Sequence, residues 1–285
     1  MINYQRAQLF FYCREDSLTP VESFIDEHKL CFIVSGSLDI FHESKNYTFN
    51  TGDVVLFKRN QLVRAVLRPG DNGEPFSSFK IVFAQELLLK FKAENAQWSN
   101  QTKVSEKNFP SEQVPLSTNN ELIVSFFRSL RPYLNADNTI PQALSDNKTS
   151  EILLIMEMLW PGVGHSLFNF ETPGKIDLEQ FMQKNFANNV PLTKLAYLTG
   201  RSLTSFKRDF LKIFGAPPHK WIMQRRLMEA IHLIKNEKQS PSEIYVRIGF
   251  ESLAHFSTAF KRFFGYNPST LAGSPDSIED TINNA

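Results

Sequence analysis

Cysteine is scarce in this sequence: the 285 residues include two, Cys13 and Cys31, and no Cys-x-x-Cys pair. This scarcity excludes a disulfide-stapled miniprotein. Long apolar runs are also missing, since no stretch approaches the roughly 20 residues that span a bilayer. The first residues contain no basic segment followed by a long apolar one, which argues against a signal peptide. We therefore expect a cytoplasmic protein that makes no membrane contact and whose thiols fill a core.

Motifs of catalysis are absent as well. The sequence has no Gly-x-Ser-x-Gly elbow, no phosphate loop, no His-Glu-x-x-His and no convincing Cys/His pair. His165 and His219 fall in a predicted linker and a predicted turn. We predict that the protein is not an enzyme and has no cofactor.

Positive charge is concentrated in one part of the chain. Residues 1–174 carry 16 Lys and Arg against 20 Asp and Glu, whereas residues 175–273 carry 15 against 7. The second segment is therefore +8 in a chain of net charge +1. A basic module of about 100 residues beside an acidic one suggests that one part meets a polyanion. On charge alone, a basic surface that is only solvated remains an equal alternative.

The N-terminal residues 8–90 have the pattern of β-structure. Short segments rich in Phe, Val and Ile are separated by turn signals such as Ser35-Gly36 and Thr51-Gly52-Asp53. With no helix expected between the strands, the pattern predicts a sandwich or a barrel. A long polar connection is expected over 93–119.

Helical patterns follow this connection. Apolar residues recur on one face over 121–134 and over 150–160, and Pro161-Gly162 ends the second run. Residues 161–175 are expected to be a linker. From there to about Phe264 the period is helical, with no strand signal.

A repeat at an offset of 50 residues is the most informative feature of the chain. One Leu, three Phe, a Gly and a Pro recur in the same order: Leu203, Phe206, Phe210, Phe214, Gly215 and Pro218 correspond to Leu253, Phe256, Phe260, Phe264, Gly265 and Pro268. The Leu and the first two Phe share one helix face, and the Gly suits a left-handed C-cap. Upstream, a second pair of segments matches with a one-residue slip, each ending at a Gly (Gly200 and Gly249). Two helix-turn-helix units are therefore predicted, and the second helix of each could enter a DNA major groove.

At these residues the chain resembles the AraC/XylS family of bacterial transcription regulators. The family signature is closely matched by IGFESLAHFSTAFKRFFGYNPS, residues 248–269, and the first unit by LTKLAYLTGRSLTSFKRDFLKIFG, residues 192–215. The family's linker helix matches at Arg226, Leu227, Ala230, Leu233 and Ile234. The resemblance implies two recognition helices, held by the linker helix, that read successive major grooves on one face of the duplex.

The resemblance also implies roles for individual positions. Base contacts would come from Thr204, Lys207 and Arg208 in the first recognition helix and from Ala254, His255, Ser257 and Thr258 in the second. Phosphate contacts would come from Ser202, Lys212, Lys261 and Arg262. Arg208 suits guanine, because an arginine bonds O6 and N7 together.

Two departures from the family pattern concern the second unit. Thr258 stands where the family usually has an arginine, so the first helix is expected to supply more of the specificity. Tyr245 stands where the family prefers a small alanine, so the second unit is expected to pack differently or less rigidly.

The N-terminal half resembles the family less closely, through a pattern over residues 32–65 that is similar to the core of a cupin-type barrel. In the family this half is a small-molecule sensor, and the helices after it dimerise. Cupin metal sites need a His-x-His pair, and this chain has only His28 and the pair His42-Glu43, so no metal is predicted. Arg59 and Arg64 are candidates for contact with an anionic ligand, with solvated strand-end arginines as the alternative. The effector-binding residues are not predicted.

We conclude from the sequence that the fold is α+β, with an N-terminal cupin-like β-barrel and dimerisation helices, and a C-terminal all-α domain of two helix-turn-helix units joined by a linker helix. The expected divisions are a sensor and dimerisation domain over 1–160, a linker over 161–175, a DNA-binding domain over 176–273 and an acidic tail over 274–285. The expected function is sequence-specific transcription regulation, controlled by a small-molecule effector or by dimerisation. The expected partners are double-stranded DNA, a second copy of the chain and, for an activator, RNA polymerase.

Three alternatives stay open at this point. An architectural DNA binder would show little preference for sequence and a steep loss of affinity with salt. A cupin-like enzyme tethered to DNA would need a bound metal. A helical interaction module that never meets DNA is disfavoured by the +8 segment.

Overall fold

The computed structural model describes residues 8–14, 19–41, 46–71, 73–95, 114–116 and 120–271. The predictions for the His42-Glu43 pair, for most of the connection 93–119 and for the tail 274–285 lie outside the described residues. The chain divides into two compact units, Met1–Thr172 and Pro173–Ala285. None of the described helices is both long and apolar enough to span a membrane.

The first unit is built on antiparallel strands. The described strands are β1 Gln8–Arg14, β2 Thr19–Ile25, β3 His28–Ser35, β4 Ser37–Phe41, β5 Tyr47–Asn50, β6 Val54–Phe57, β7 Gln61–Arg68, β8 Phe76–Phe83 and β9 Val114–Leu116. They form one sheet in the order β1-β8-β3-β6-β9 and a second in the order β2-β7-β4-β5. These pairings do not close the sheets into the predicted barrel, because β5 and β9 each pair on one side only among the described strands.

Alternation along the strands separates two apolar cores in this unit. In β3, Leu30 and Phe32 face the helices, whereas Ile33 points into the space between the two sheets. Strands of both sheets contribute to the inner core, for example Val55 from the first sheet and Leu38 from the second. Successive side chains of a strand point to opposite faces, so a strand buried on both faces is apolar throughout.

The helices of the first unit pack on the outer face of the first sheet. They are α1 Gln85–Glu94, α2 Glu121–Leu130, α3 Gln142–Leu159 and α4 Val163–Leu167, with a 3-10 turn at Arg131–Tyr133. The large buried apolar residues of all four helices belong to the same apolar cluster as that sheet face.

The predicted helices differ from the observed ones at their ends. Helix α2 ends at Leu130, four residues before the predicted end at residue 134, and a 3-10 turn that contains Pro132 follows it. Helix α3 begins at Gln142, directly after Pro141, rather than near residue 150. Helix α1 lies where only strands were predicted, and β9 lies within the predicted connection.

The segment 161–175, predicted as a linker, is structured in its first part. Val163 and Leu167 of α4 are fully buried in the core of the first unit. The division between the two units falls later, after Thr172.

The second unit contains only helices among its described residues. They are α5 Leu178–Asn185, α6 Leu192–Leu198, α7 Leu203–Phe214, α8 Pro218–Lys235, α9 Pro241–Ile244, α10 Leu253–Phe264 and α11 Pro268–Leu271. Helices α6 and α7 form the first helix-turn-helix unit, and α9 and α10 form the second. Helix α8 lies between them in sequence, as the linker helix of the family does.

Candidate nucleic-acid interface

Matching caps define the two candidate recognition helices, α7 and α10. The Ser202 Oγ accepts a hydrogen bond from Ser205 N at 3.2 Å, and the Ser252 Oγ accepts one from His255 N at 3.2 Å. Gly215 and Gly265 end the helices with φ of +66° and +85°. A serine N-cap and a left-handed glycine C-cap stop each helix at the same point of the repeat.

Phenylalanines pack the inner faces of the two helices in the same way. Phe206 and Phe210 of α7 are fully buried, as are their counterparts Phe256 and Phe260 of α10. The Phe210 ring meets Trp221 of α8 edge-on, with the centroids 5.6 Å apart. This packing leaves the opposite face of each helix exposed, as a groove-reading helix requires.

The turn before each recognition helix requires glycine. Gly200 and Gly249 have φ of +64° and +88°, and each backbone lies directly against another part of the second unit. A side chain at Gly249 would meet the Ala187 carbonyl oxygen and the guanidinium of Arg226. The sequence pattern marked these glycines as turns, and the structure adds that the close contact leaves no room for a Cβ.

Arg226 joins the linker helix α8 to the segment before the first helix-turn-helix unit and to the turn of the second. Its guanidinium is buried and donates to the carbonyl oxygens of Phe186 (2.9 Å), Gly249 (2.5 Å) and Asn188 (3.1 Å). Phe186 and Asn188 precede α6, and Gly249 lies in the turn of the second helix-turn-helix unit. The sequence indicated Arg226 as part of a helix core; its three backbone partners left no signal in the sequence, because any residue supplies a carbonyl.

The base-contact positions proposed for α7 share one exposed stripe. Thr204, Lys207 and Arg208 are all exposed and stand at helix spacings of three and four residues. The Arg208 side chain is 75% exposed. Ser202 and Lys212, proposed for phosphates, are exposed at the two ends of the same helix.

The corresponding positions of α10 are less uniform. Ala254 and Thr258 are exposed on one stripe, and Lys261 and Arg262 extend it toward the C-terminal end. Ser257 is half-buried. His255 is exposed, but its ring packs edge-on against Phe250, with the centroids 5.4 Å apart.

Tyr245 marks a local difference between the two units. The helix before it, α9, has four residues, whereas α6 has seven. Ala196, at the matching position, is fully buried, and Tyr245 is half-buried at the edge of the core. The phenol ring of Tyr245 is too large for the site that Ala196 fills in the first helix-turn-helix unit.

Asp209 is a charged, half-buried residue of α7 for which the sequence predicted no role. Its Oδ1 accepts hydrogen bonds from Arg208 Nε (3.2 Å) and Nη2 (3.1 Å), and its Oδ2 accepts one from Arg201 Nε (3.2 Å). The hydrogen bond from Arg208, and then that from Arg201, hold the pKa of the Asp209 carboxyl below its usual value. The available signal was an acidic residue next to an arginine in an otherwise basic helix.

In the first unit, a cavity of about 230 Å³ lies between the two sheets. Its wall is mostly apolar, with Leu67 and Phe76 among the lining residues. Lys29 and Lys80 line it as well, and among the described residues no acidic side chain does. The Lys80 ammonium lies 3.6 Å from the centroid of the Tyr12 ring, and Lys29 is paired with Asp26 at 3.2 Å.

The arginines proposed for an anionic ligand do not line this cavity. Arg59 donates to Gln85 Oε1 at 3.3 Å and lies over the Phe170 ring, 5.6 Å from its centroid. Arg64 belongs to β7, at the position paired with Glu22 of β2.

His28 is a buried residue in the core of the first unit. Its Nδ1 accepts the Arg59 backbone N–H at 3.2 Å. Burial, and then the charges of Arg59 and Lys58, lower the pKa of His28 to about 3, so the imidazole is neutral at pH 7. Among the described residues, no group of three His, Cys, Asp or Glu is placed to hold a metal ion.

Comparison with known proteins matches both halves of the chain. The helix-turn-helix domain family matches residues 195–273, and the ExsA N-terminal regulatory domain family matches residues 28–158. The virulence regulon transcriptional activator VirF of Yersinia enterocolitica is 31% identical over 131 residues, which are 45% of this chain and 48% of VirF. The HTH-type transcriptional regulator ExsA of Pseudomonas aeruginosa is 35% identical over 92 residues, 32% of this chain and 33% of ExsA.

Among solved structures, apo ToxT from Vibrio cholerae aligns over 93% of this chain and 96% of its own, with 16% identity and a TM-score of 0.41. The chain spans about half the length of VirF, the curated relative that it matches over 131 residues.

Two capped helices, each with one buried and one exposed face, in the most basic part of the chain, are the arrangement of a helix-turn-helix protein. The family matches to both halves agree with the resemblance of the chain to the AraC/XylS family of transcription regulators. The relatives are named as regulators of transcription, in agreement with the prediction that the chain is not an enzyme.

Proposed function

We propose that the protein is a sequence-specific DNA-binding transcription regulator that reads DNA with α7 and α10. The observation that carries this proposal is the pair of recognition helices, which share caps and buried phenylalanines and expose their opposite faces. Arg208 would read guanine, with Thr204 and Lys207 beside it, and Ala254, His255, Ser257 and Thr258 would face the second groove. Ser202, Lys212, Lys261 and Arg262 would bond phosphates and fix the register.

Selection from a random pool of duplexes, with the full chain at a stated salt concentration, tests the proposal. We expect a motif with two blocks about one helical turn apart, because two recognition helices on one face of the duplex meet successive major grooves. A pool that enriches no sequence, with binding that disappears as salt rises, would instead establish the architectural DNA binder.

For the first unit we propose the role of a cupin-like regulatory domain. The cavity between its sheets supports binding of a small molecule, and the chemistry of its wall favours a ligand with an apolar body and an acidic group near Lys29 and Lys80. Regulation would require that the ligand bind one state of the protein better than another. Isothermal titration of the full chain with short-chain carboxylates, against the Lys80→Ala variant, tests this site.

We also propose that the protein is a homodimer that pairs through α3. Leu154 and Met158, four residues apart on that helix, are 44% and 71% exposed. Two large apolar side chains on one helix stripe are suited to pair with the same stripe of a second copy. Sedimentation of Met158→Glu should show monomers where the wild-type chain shows dimers. For an activator, RNA polymerase would be a further partner.

A further inference from the structure

The two arginines of the first helix-turn-helix unit that contact Asp209 differ in what surrounds them. Arg208 is exposed on the proposed DNA-facing stripe, whereas the Arg201 side chain is 7% exposed. Arg201 also donates to the backbone carbonyls of Thr199 (2.7 Å) and Ile176 (3.0 Å). Asp209 therefore links an arginine fixed to the backbone with an arginine on the surface.

The geometry at Arg208 leaves its outer edge available. A guanidinium carries five N–H donors in a planar fork. Asp209 takes the side formed by Nε and one N–H of Nη2. The remaining edge, formed by Nη1 and Nη2, is the one whose two parallel N–H groups match O6 and N7 of guanine.

We propose that Asp209 is a positioning residue that orients the guanidinium of Arg208 toward one guanine of the operator. This inference rests on the proposed function. An arginine held before it meets DNA loses less rotamer freedom on binding, and it is held in the orientation that a bidentate contact needs. Arg201 orients Asp209 in turn, because it occupies the second carboxylate oxygen.

This arrangement belongs to the first helix-turn-helix unit and not to the second. At the offset of 50 residues, Arg208, Asp209 and Arg201 correspond to Thr258, Ala259 and Glu251. Glu251 accepts a hydrogen bond from Asn189 Nδ2 at 2.8 Å, so it has a different partner. Specificity for guanine is therefore expected from α7 and not from the matching position of α10.

The test measures discrimination rather than affinity, because removal of a carboxylate from a basic surface strengthens binding to all DNA. The full chain first selects a duplex from a random pool. Affinities are then measured for that duplex and for versions with each guanine replaced. We expect Asp209→Asn to lower discrimination about tenfold at the single base pair that Arg208→Ala relaxes, and to leave the other positions within about twofold.

Two further variants separate positioning from other effects. Glu179→Gln removes the same charge from an exposed position of α5 and should leave discrimination unchanged. In the Arg208→Ala background, Asp209→Asn should lower discrimination no further, because the two residues act through one contact. A general loss of stability would weaken binding to every duplex equally and would not produce this pattern.

Unchanged discrimination in Asp209→Asn, where Arg208→Ala relaxes a guanine, would overturn the inference and leave the proposed function intact. A wild-type chain that enriches no sequence would overturn the proposed function itself, and the positioning role with it.

Discussion

The two helix-turn-helix units are alike where they pack and different where they face solvent. Both use a serine N-cap, buried phenylalanines at matching positions and a left-handed glycine at the end of the second helix. In the first helix-turn-helix unit the exposed Arg208 is followed by the half-buried Asp209, and the second unit has Thr258 and Ala259 at these positions. The repeat has therefore kept the residues that form the helices and changed the residues that would read bases.

This difference shows which part of a DNA-binding unit a repeat can reveal. Buried phenylalanines recur because a close-packed core tolerates few changes of volume. Exposed positions carry no such restriction, so they can diverge until the two units read unrelated base pairs. The second helix-turn-helix unit also differs in its first helix, because α9 is a single turn that is followed by the half-buried Tyr245.

The largest effect is expected at Arg226, which joins the segment before the first helix-turn-helix unit to the turn of the second. Replacement of Arg226 by alanine leaves its three backbone carbonyl partners without their donor, and should destabilise the protein by about 3–5 kcal/mol. Urea unfolding followed by circular dichroism measures the loss. Lys220→Ala, at an exposed position of the same helix, is the control and should change stability by less than about 0.5 kcal/mol. A loss under about 1 kcal/mol for Arg226→Ala would show that apolar packing alone holds these two segments against α8.

A smaller effect is expected at two glycines with nearly the same backbone angle. Gly249 has φ of +88° and Gly265 of +85°, but only Gly249 lies against other backbone. Gly265→Ala should cost about 1–2 kcal/mol from the left-handed conformation alone. Gly249→Ala adds a clash with the Ala187 carbonyl and should cost about 2–4 kcal/mol. Equal losses in the same urea experiment would contradict the close approach at the second turn.

The comparison of the two reading faces predicts an unequal loss of specificity. Arg208→Ala should weaken binding to the selected duplex by about 1–3 kcal/mol and relax one base position. Thr258→Ala, at the matching position, should cost less than about 1 kcal/mol, because a hydroxyl offers no bidentate contact to guanine. Competition with base-substituted duplexes measures both variants. Equal losses would show that the second helix supplies as much specificity as the first.

The fold of the C-terminal compact unit, Pro173–Ala285, was predictable because its signals are local and repeated. Phenylalanines at helix spacing and glycines at both turns predict four of its helices and the order in which they occur. The contacts of Asp209 with Arg201 and of Arg226 with Phe186 were not predictable. These contacts join residues across turns whose geometry depends on the folded chain. The partners of Arg226 are backbone carbonyl oxygens, which every residue type carries, so the sequence does not reveal them.

The fold of the N-terminal compact unit, Met1–Thr172, was less predictable because its strands and its helices are built from the same apolar residue types. Only two polar residues, Gln85 and Glu86, separate the apolar end of β8 from the apolar Leu87 and Leu88 of α1, so the helix has little separate signal there. The sheets likewise do not follow from the strand pattern. Alternation fixes which residues face a core, but which strands pair depends on contacts distant in sequence.

The smallest effect concerns phosphate contacts and separates the two helices once more. Lys261 of α10 corresponds at the offset of 50 residues to Leu211 of α7, which is 52% exposed. Lys261→Ala should weaken binding to all duplexes evenly and reduce the slope of log affinity against log salt by about 1, because one phosphate contact is lost. The reciprocal variant, Leu211→Lys, places a cation at the same position of the first helix and should raise the slope by a similar amount. If Lys261→Ala changed the preference for one base pair instead, this lysine would read a base, and the second unit would contribute more specificity than its threonine at position 258 suggests.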